Sequence, residues 1–199
     1  MAGFPKPLFA LIQQLKKLPG VGQKTAERYA FCLMDWKMND LRLLGHQIEQ
    51  LKNQLAFCKE CGCIQEHECP FCQNQERRNG TLCIVSSPKD VFAIEQTRSF
   101  VGQYQVIPSL LNPFEDNFAN QLSQMGVIER IRRLSIREVI LALESTIEGD
   151  ATALYLKEAL ASLPQVAVSR LAYGIPLGST LEFIDGGTLS RALMGRQPF

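Results

Sequence analysis

Seven cysteines are the residues of this chain best suited to chemistry, and four of them are spaced as a metal site. The pattern is Cys58-x2-Cys61-x7-Cys69-x2-Cys72. Each Cys-x2-Cys pair lets two thiolates bind one ion from a tight turn. Four thiolates complete a tetrahedral Zn²⁺ site that has no open position for water. We therefore predict one compact zinc site per chain, structural rather than catalytic.

The identity of the metal and of its ligands leaves some alternatives open. Unrelated thiols or a rubredoxin-like iron site would give the same spacing, but iron would need a redox role that nothing else in the sequence supports. Cys63 and His67 lie inside the loop and could replace a ligand, although Cys63 breaks the paired spacing. Cys32 and Cys83 lie in apolar runs, which is typical of small buried side chains.

A glycine-rich turn between two predicted helices is the second candidate site. Gly20 and Gly22 flank one apolar residue, as in a helix-hairpin-helix motif, and Lys24 and Arg28 project from one face of the following helix. Glycines let a turn approach a phosphate closely, and free N–H groups at a helix start point at it. We predict that these four residues bind nucleic-acid backbone without reading base sequence. An ordinary helical turn with a solvated basic pair is the alternative.

The charge distribution agrees with this placement. The whole chain has a net charge of only +1, which gives no argument for nucleic acid. Residues 1–60, however, carry nine lysines and arginines against five acidic residues, a net of +4, and the remainder carries twelve against fifteen, a net of −3. A polyanion is therefore expected to meet the N-terminal part.

The sequence does not predict an ATP site. A P-loop needs a glycine directly before Lys24 and a strand upstream, but Gln23 and a helix occupy those places. The Walker-B-like segment 181–185 is predicted to be a strand that ends in a turn at Gly186-Gly187. Without a P-loop to complement it, we do not expect ATP hydrolysis.

Hydrophobic periodicity predicts a helical N-terminal part. The first two helices carry apolar faces at Leu8, Leu11, Ile12, Leu15 and Leu18, and at Ala26, Ala30 and Leu33. A third helix is predicted from Asp40, as its N-cap, to Phe57. Its apolar stripe is Leu41, Leu44, Ile48, Leu51 and Leu55. That stripe predicts either an intramolecular core or a helix–helix interface between subunits.

From residue 82 onward the pattern changes to short apolar runs that alternate with helices. Strands are predicted at 82–85, 104–107, 138–143 and 166–168, with helices begun by a Ser87 cap and over 149–163. This alternation favours an open, mostly parallel sheet with helices on its faces. The fold class is therefore mixed α+β and α/β in several parts. No signal peptide and no run of about 18 apolar residues is present, so we expect a cytoplasmic protein without a membrane partner.

The order of these motifs resembles the bacterial RecR recombination mediators. The likeness runs from about residue 8 to 196. It includes a C-terminal signature, Tyr-Gly-Ile-Pro-Leu-Gly at 173–178, Leu-Glu-Phe-Ile-Asp at 181–185 and Thr-Leu-Ser-Arg-Ala-Leu at 188–193. The resemblance implies four parts. These are a helix-hairpin-helix DNA-binding domain (1–57), a four-cysteine zinc finger (58–72), a Toprim domain (81–176) and a C-terminal Walker-B-like strand and helix for oligomer contact (177–199).

The resemblance also implies a function. Proteins of this kind are non-catalytic DNA clamps, ring-like homo-oligomers (dimer or tetramer) that act with RecO and RecF to help load recombinase at single-stranded gaps. Lys24 and Arg28 match basic positions implicated in DNA binding. Glu148 and Asp150, with Glu144 nearby, match acidic positions that are candidates for contact with RecO. Stabilisation of a helix start by these carboxylates is the alternative.

Catalytic Toprim enzymes suggest a competing hypothesis, a Mg²⁺-dependent nuclease or primase. They resemble one another in a Glu after the first strand and a D-x-D-x-E-G run that together hold the metal. Here Ser86 stands at the first position, and the run begins at Glu144 with Thr146 in place of its second acid. We therefore expect a scaffold. Segment 108–118 also departs from the Gly-rich loop of RecR proteins.

Overall fold

A computed structural model of the chain describes residues 3–107, 109–111 and 126–196. They belong to two compact units, Met1–Leu55 and Ala56–Phe199. Most of the divergent segment 108–118 lies outside the described residues. None of the helices in the described part has the length and apolarity that a membrane crossing needs.

The first unit has a very small core. Its helices are α1 (Lys6–Leu15), α2 (Gln23–Met34) and α3 (Met38–Gln54). Ile12 of α1 packs against Ala26 and Ala30 of α2, and all three are fully buried. The predicted apolar faces of the first two helices therefore do meet, and two alanines on α2 let the helices approach closely.

The third helix differs from its prediction at both ends. It begins after Lys37 rather than Asp40, whose carboxylate lies in the first turn, where it faces the positive end of the helix. It ends before Leu55, which is extended. No residue of α3 is buried, and Ile48 and Leu51 are 66% and 56% exposed. Leu41 and Leu44 are half-buried and line a cavity with Leu33, whereas the C-terminal half of the predicted stripe is exposed.

The second unit is built on the predicted parallel sheet. The strands are β1 (Ala56–Phe57), β2 (Ile64–Gln65), β3 (Thr81–Val85), β4 (Gln103–Val106), β5 (Glu138–Ala142) and β6 (Ala167–Arg170). The helices are α4 (Pro88–Thr97), α5 (Val127–Arg133), α6 (Ile147–Leu160) and α7 (Gly186–Met194). Strands β3 to β6 form a parallel sheet in the order β4-β3-β5-β6. The predicted start of α4 is confirmed, with Pro88 in its first turn and a capping box between Ser87 and Asp90.

Alternating side chains of β3 supply two cores, one on each face of the sheet. Leu82 and Ile84 face one core, which α5 and α6 cover. Cys83 and Val85 face the other, where Val91 of α4 packs together with the four-cysteine knuckle, residues 58–72. The knuckle is therefore one wall of the Toprim-like core and not a separate appendage.

The predicted Walker-B-like strand is wrong. Leu181–Phe183 is a 3-10 turn, closed by a backbone bond from the Phe183 N–H to the Thr180 carbonyl. Asp185 then caps α7, because its carboxylate accepts a bond from the Thr188 N–H at 2.9 Å. The predicted glycine turn at 186–187 is instead the first turn of that helix. Local i to i+3 bonding and a strong cap outweigh the β-like apolar residues, which face no partner strand among the described residues.

Candidate metal centre and nucleic-acid interface

The first half of the knuckle is a tight turn fixed by the backbone. The N–H of Cys58 donates to the Cys63 carbonyl at 2.7 Å, and the Gly62 N–H donates to the Cys58 carbonyl at 2.8 Å. Gly62 has a φ of +75°, and a Cβ there would lie 2.9 Å from Cβ of Val106. Glycine is thus required twice, for the turn and for its close approach to β4.

The four predicted ligand cysteines come together. Their sulfur atoms all lie within 4.8 Å of one another, with 3.5 Å between Cys61 and Cys69 and 4.0 Å between Cys58 and Cys72. A Zn–S bond of about 2.3 Å in a tetrahedron separates the sulfurs by about 3.8 Å. The site thus fits one tetrahedrally bound ion, and Cys58, Cys61, Cys69 and Cys72 could hold a metal.

The surroundings favour the protonated thiol at three of the four cysteines, Cys61, Cys69 and Cys72. The Cys63 thiol, together with burial, raises the pKa of Cys61 above its usual range. The Cys61 thiol and burial likewise raise the pKa of Cys72, and burial raises that of Cys69. Because a metal binds thiolates, it must displace these protons, which couples ion binding to folding.

Arg130 contacts the cysteine cluster, which the sequence did not predict. Its buried guanidinium donates to the Tyr104 carbonyl and to Oε1 of Gln105, both at 2.7 Å, and to Sγ of Cys72 at 3.4 Å. A buried positive charge there lowers the pKa of Cys72 against the larger opposing effects and would offset the charge of bound thiolates. In the sequence, Arg130 stands close to Arg132 and Arg133, and no pattern distinguishes it from them.

The knuckle is joined to the sheet by backbone and aromatic contacts. The Val106 N–H donates to the Cys61 carbonyl at 2.7 Å. Phe71 meets the fully buried Tyr104 edge to face, with the ring centroids 5.1 Å apart. The guanidinium of Arg77 lies 5.1 Å from the Phe71 centroid. Folding of the knuckle and folding of β4 are therefore expected to depend on each other.

The other cysteines separate into two kinds. Cys63 is buried and outside the ligand cluster, and Cys83 is buried as predicted, where burial raises its pKa to about 12. The prediction for Cys32 is wrong, because this side chain is exposed. Ala26 and Ala30 set the buried face of α2, and position 32 falls on the opposite side. His67 is exposed and does not join the cluster.

The four residues predicted to bind nucleic acid lie together around the start of α2. Gly20 has a φ of +75°, and a Cβ at Gly20 or Gly22 would meet nothing within 4 Å. Gly22 is the N-cap and offers no side chain to the N–H groups of the first turn, which stay open to an anion. Lys24 and Arg28 are exposed on the helix face that turns away from the core.

Hydroxyl groups stand at two of the Toprim acid positions, where Thr146 caps α6 and Ser86 bonds to the first turn of α4. Ser86 Oγ bonds to Asp90 at 3.0 Å, and Thr146 Oγ1 accepts the Gly149 N–H at 3.1 Å. Glu144 is exposed nearby. Within residues 3–107, 109–111 and 126–196, the four cysteines are the sole group of three or more His, Cys, Asp or Glu side chains placed to share a metal ion.

The acidic residues proposed for partner contact have different surroundings. Glu144 and Glu148 are exposed, whereas Asp150 accepts bonds from Arg170 at 2.5 Å, Arg191 at 3.0 Å and Tyr173 Oη at 3.2 Å. Partial burial would raise the pKa of Asp150, but the two arginines and the phenol outweigh it and lower that pKa. Asp150 therefore attaches α7 to the sheet, a role that the sequence did not predict.

The described residues contain an N-terminal helical hairpin, a four-cysteine knuckle and a parallel Toprim-like sheet. This combination is that of a RecR-type recombination protein. The helix-hairpin-helix family of RecR matches residues 8–52, the Toprim domain family matches 80–172, and the RecR C-terminal family matches 174–197. The chain belongs to the RecR family of recombination proteins, as the sequence resemblance predicted.

Full-length relatives agree with this assignment. "Recombination protein RecR" of Protochlamydia amoebophila is 45% identical over 197 residues, which cover 98% of this chain and 99% of that protein. The protein of the same name from Chlamydia felis is 44% identical over 202 residues, with all of both chains covered. That of Chlamydia trachomatis serovar D is 40% identical over 203 residues, again with complete coverage.

Proposed function

We propose that this chain is a non-catalytic, DNA-binding clamp subunit of recombinational DNA repair, working in the cytoplasm. The observation that carries the proposal is the open hairpin. Gly20 and Gly22 expose their backbone, Lys24 and Arg28 stand beside them, and the surrounding segment is basic. Backbone N–H groups and flexible cations bind phosphates without regard to base sequence.

The metal in the four-cysteine site is proposed to be Zn²⁺, in a structural role. Four thiolates are the ligand set that zinc prefers in closed sites, and they leave no position for a reacting water. Cys58, Cys61, Cys69 and Cys72 would hold the ion, which would cross-link the two halves of the knuckle. Elemental analysis of protein purified without chelator should give about one zinc per chain. Less than about 0.2 zinc, or stoichiometric iron, would contradict the assignment.

The clamp is proposed to be a homo-oligomer. One hairpin per chain offers few phosphate contacts, whereas several hairpins on one DNA raise each other's effective concentration. Two apolar surfaces in the described residues are available for self-contact: the α3 stripe and the C-terminal segment, where Phe183 and Met194 are 83% and 79% exposed. Native mass measured with and without DNA tests this, and a monomer in both conditions would exclude the clamp.

The DNA-binding proposal is tested by charge reversal. Lys24→Glu combined with Arg28→Glu should abolish binding to gapped DNA at about 100 mM salt without unfolding the chain, because both side chains are exposed. Arg42→Glu with Lys52→Glu is the matched control, since it makes the same charge change at exposed positions of α3. Each lost phosphate contact should reduce the salt slope by about 0.9 on duplex and about 0.7 on single strands. Equal binding by both double variants would remove the support for the hairpin.

A Mg²⁺-dependent Toprim nuclease or primase is the second candidate function. The fold favours it, but the hydroxyls of Ser86 and Thr146 replace two metal-binding acids. Incubation of DNA with the protein and Mg²⁺ or Mn²⁺ should therefore show neither cleavage nor priming. Cleavage that disappears with Glu144→Gln would establish the catalytic alternative.

RecO and RecF are the proposed protein partners. Glu144 and Glu148 are the exposed carboxylates available to a basic surface, and complementary charges would set recognition and the association rate. Asp150 was proposed with them, but its oxygens already bind two arginines of the same chain. Glu144→Lys with Glu148→Lys should weaken a pull-down by RecO and leave the oligomer intact. Unchanged capture would leave these residues with only a helix-end role.

A further inference from the structure

We propose that Phe31 is a base-stacking position next to the DNA-binding hairpin, which gives the site a preference for single-stranded DNA. This inference rests on the proposed function. Phe31 lies seven residues after Lys24 and three after Arg28, so the three side chains share one face of α2. That face is turned away from Ala26 and Ala30, which form the buried side of the helix.

Phe31 is exposed, but a contact with another ring restricts its side chain. Nearly half of it (48%) is open to solvent, so a ring face can be reached by a ligand. The ring meets Phe4 edge to face, with the centroids 6.0 Å apart and the planes at 66°. Such a contact restricts the ring rotamers before any ligand arrives, which lowers the ordering cost of stacking on it.

The neighbouring charges indicate which ligand would use this ring. Arg28 is one helical turn away, about 4.5 Å along the axis at 1.5 Å per residue. A cation that holds a phosphate beside an aromatic ring that receives a base is the arrangement that binds single strands without sequence preference. In a duplex both faces of each base are covered by its neighbours, so Phe31 can add affinity only where bases are unstacked.

The experiment compares Phe31→Leu with Phe92→Leu. Leucine keeps an apolar contact for Phe4 but removes the flat ring, and neither change alters charge. Phe92 is the matched control, because it is a helical phenylalanine of similar exposure (45%) in the other compact unit. Fluorescence anisotropy with labelled single-stranded and duplex DNA of one length, at several salt concentrations, supplies the readout.

Phe31→Leu should weaken single-strand binding at least about five-fold, since loss of one base–aromatic stack has an effect of this order or larger. Duplex affinity should stay within two-fold, and the salt slope should not change, because no phosphate contact is lost. Phe92→Leu should match the parent on both DNAs. Equal losses on single strands and duplex, or no loss on either, would overturn the inference.

A second variant follows stacking directly. The chain has one tryptophan, Trp36, so Phe31→Trp in a Trp36→Phe background places a single fluorophore at the stacking position. Single-stranded DNA should quench its emission and duplex DNA should not, and single-strand affinity should return to the parent's or exceed it. Absence of quenching while DNA is bound would refute stacking. Quenching by a protein partner alone would assign the ring to a protein interface instead.

The experiments distinguish a failure of the stacking proposal from a failure of the proposed DNA-binding function. If Phe31→Leu has no effect while Lys24→Glu with Arg28→Glu abolishes binding, the hairpin binds DNA and only the stacking position is wrong. If the double charge reversal also leaves binding intact, the proposed function itself is contradicted.

Discussion

Removal of the proposed zinc ion is expected to destabilise the parallel sheet as well as the knuckle. Cys58, Cys61 and Cys69 belong to the core that also contains Val85 and Tyr104. Structural zinc contributes about 10–16 kcal/mol of binding free energy at neutral pH in zinc-finger peptides. A whole domain is stable by only about 5–15 kcal/mol. Even a fraction of the metal's contribution is therefore comparable to the stability of the second unit.

Hydrogen exchange locates this effect. After chelation under reducing conditions, amides of β4 should lose protection, because Val106 donates to the Cys61 carbonyl. Emission of Trp36 should change little, since it lies in the unit Met1–Leu55. Cys69→Ser should reproduce the loss in part, and Cys32→Ser, which changes an exposed thiol outside the cluster, should not. If the metal-free chain keeps β4 protection and melts within about 2 °C of the loaded chain, metal binding and folding of β4 are not coupled.

Two further predictions concern the carboxyl edge of the sheet. Gly149→Ala should destabilise the chain by at least about 2 kcal/mol, because the added Cβ would lie 2.0 Å from the Glu144 backbone oxygen. Gly45→Ala in α3, where a Cβ meets nothing within 4 Å, should be neutral or stabilising in the same urea titration. Asp150→Asn should lower the melting temperature above about pH 4, the ordinary carboxyl range, because the lowered pKa of Asp150 makes its ionised form stabilising. That difference should close as the pH falls through the folded pKa, and a difference that persists once Asp150 is protonated would mean that packing against Arg191, not charge, is what the variant loses.

The parts of the fold that the sequence predicted well are those decided by short-range physics. The parallel strands are short apolar runs between turn residues, and the α4 capping box is a four-residue pattern. The ligand cysteines were found for the same reason, since each pair must bind from one turn. The strands, the capping box and each cysteine pair are local features. The two cysteine pairs meet because the spacer between them is too short to separate them.

The misses depend on contacts that no local pattern encodes. Arg130 reaches Cys72, 58 residues earlier in the chain, and it has the same residue type as its solvated neighbours. Asp150 was predicted as a partner contact because its distant arginine partners were not visible in sequence. Its apolar neighbours predict a buried Cys32, but two alanines that pack on α1 determine which face of α2 is buried, and Cys32 lies on the other face. The Walker-B-like segment is apolar enough for a strand and has none to pair with among the described residues.

The contacts of the knuckle with β4 have a consequence for solubility. This strand is at the edge of its sheet, and an open edge invites another chain to add a strand. Three backbone groups along this edge have partners: the Gly102 carbonyl accepts from Arg77, the Tyr104 carbonyl accepts from Arg130, and the Val106 N–H donates to the Cys61 carbonyl. The knuckle supplies one of these partners and contacts the other two, through Phe71 to Arg77 and through Cys72 to Arg130. A chain whose knuckle is unfolded is therefore expected to expose this edge and to aggregate more readily.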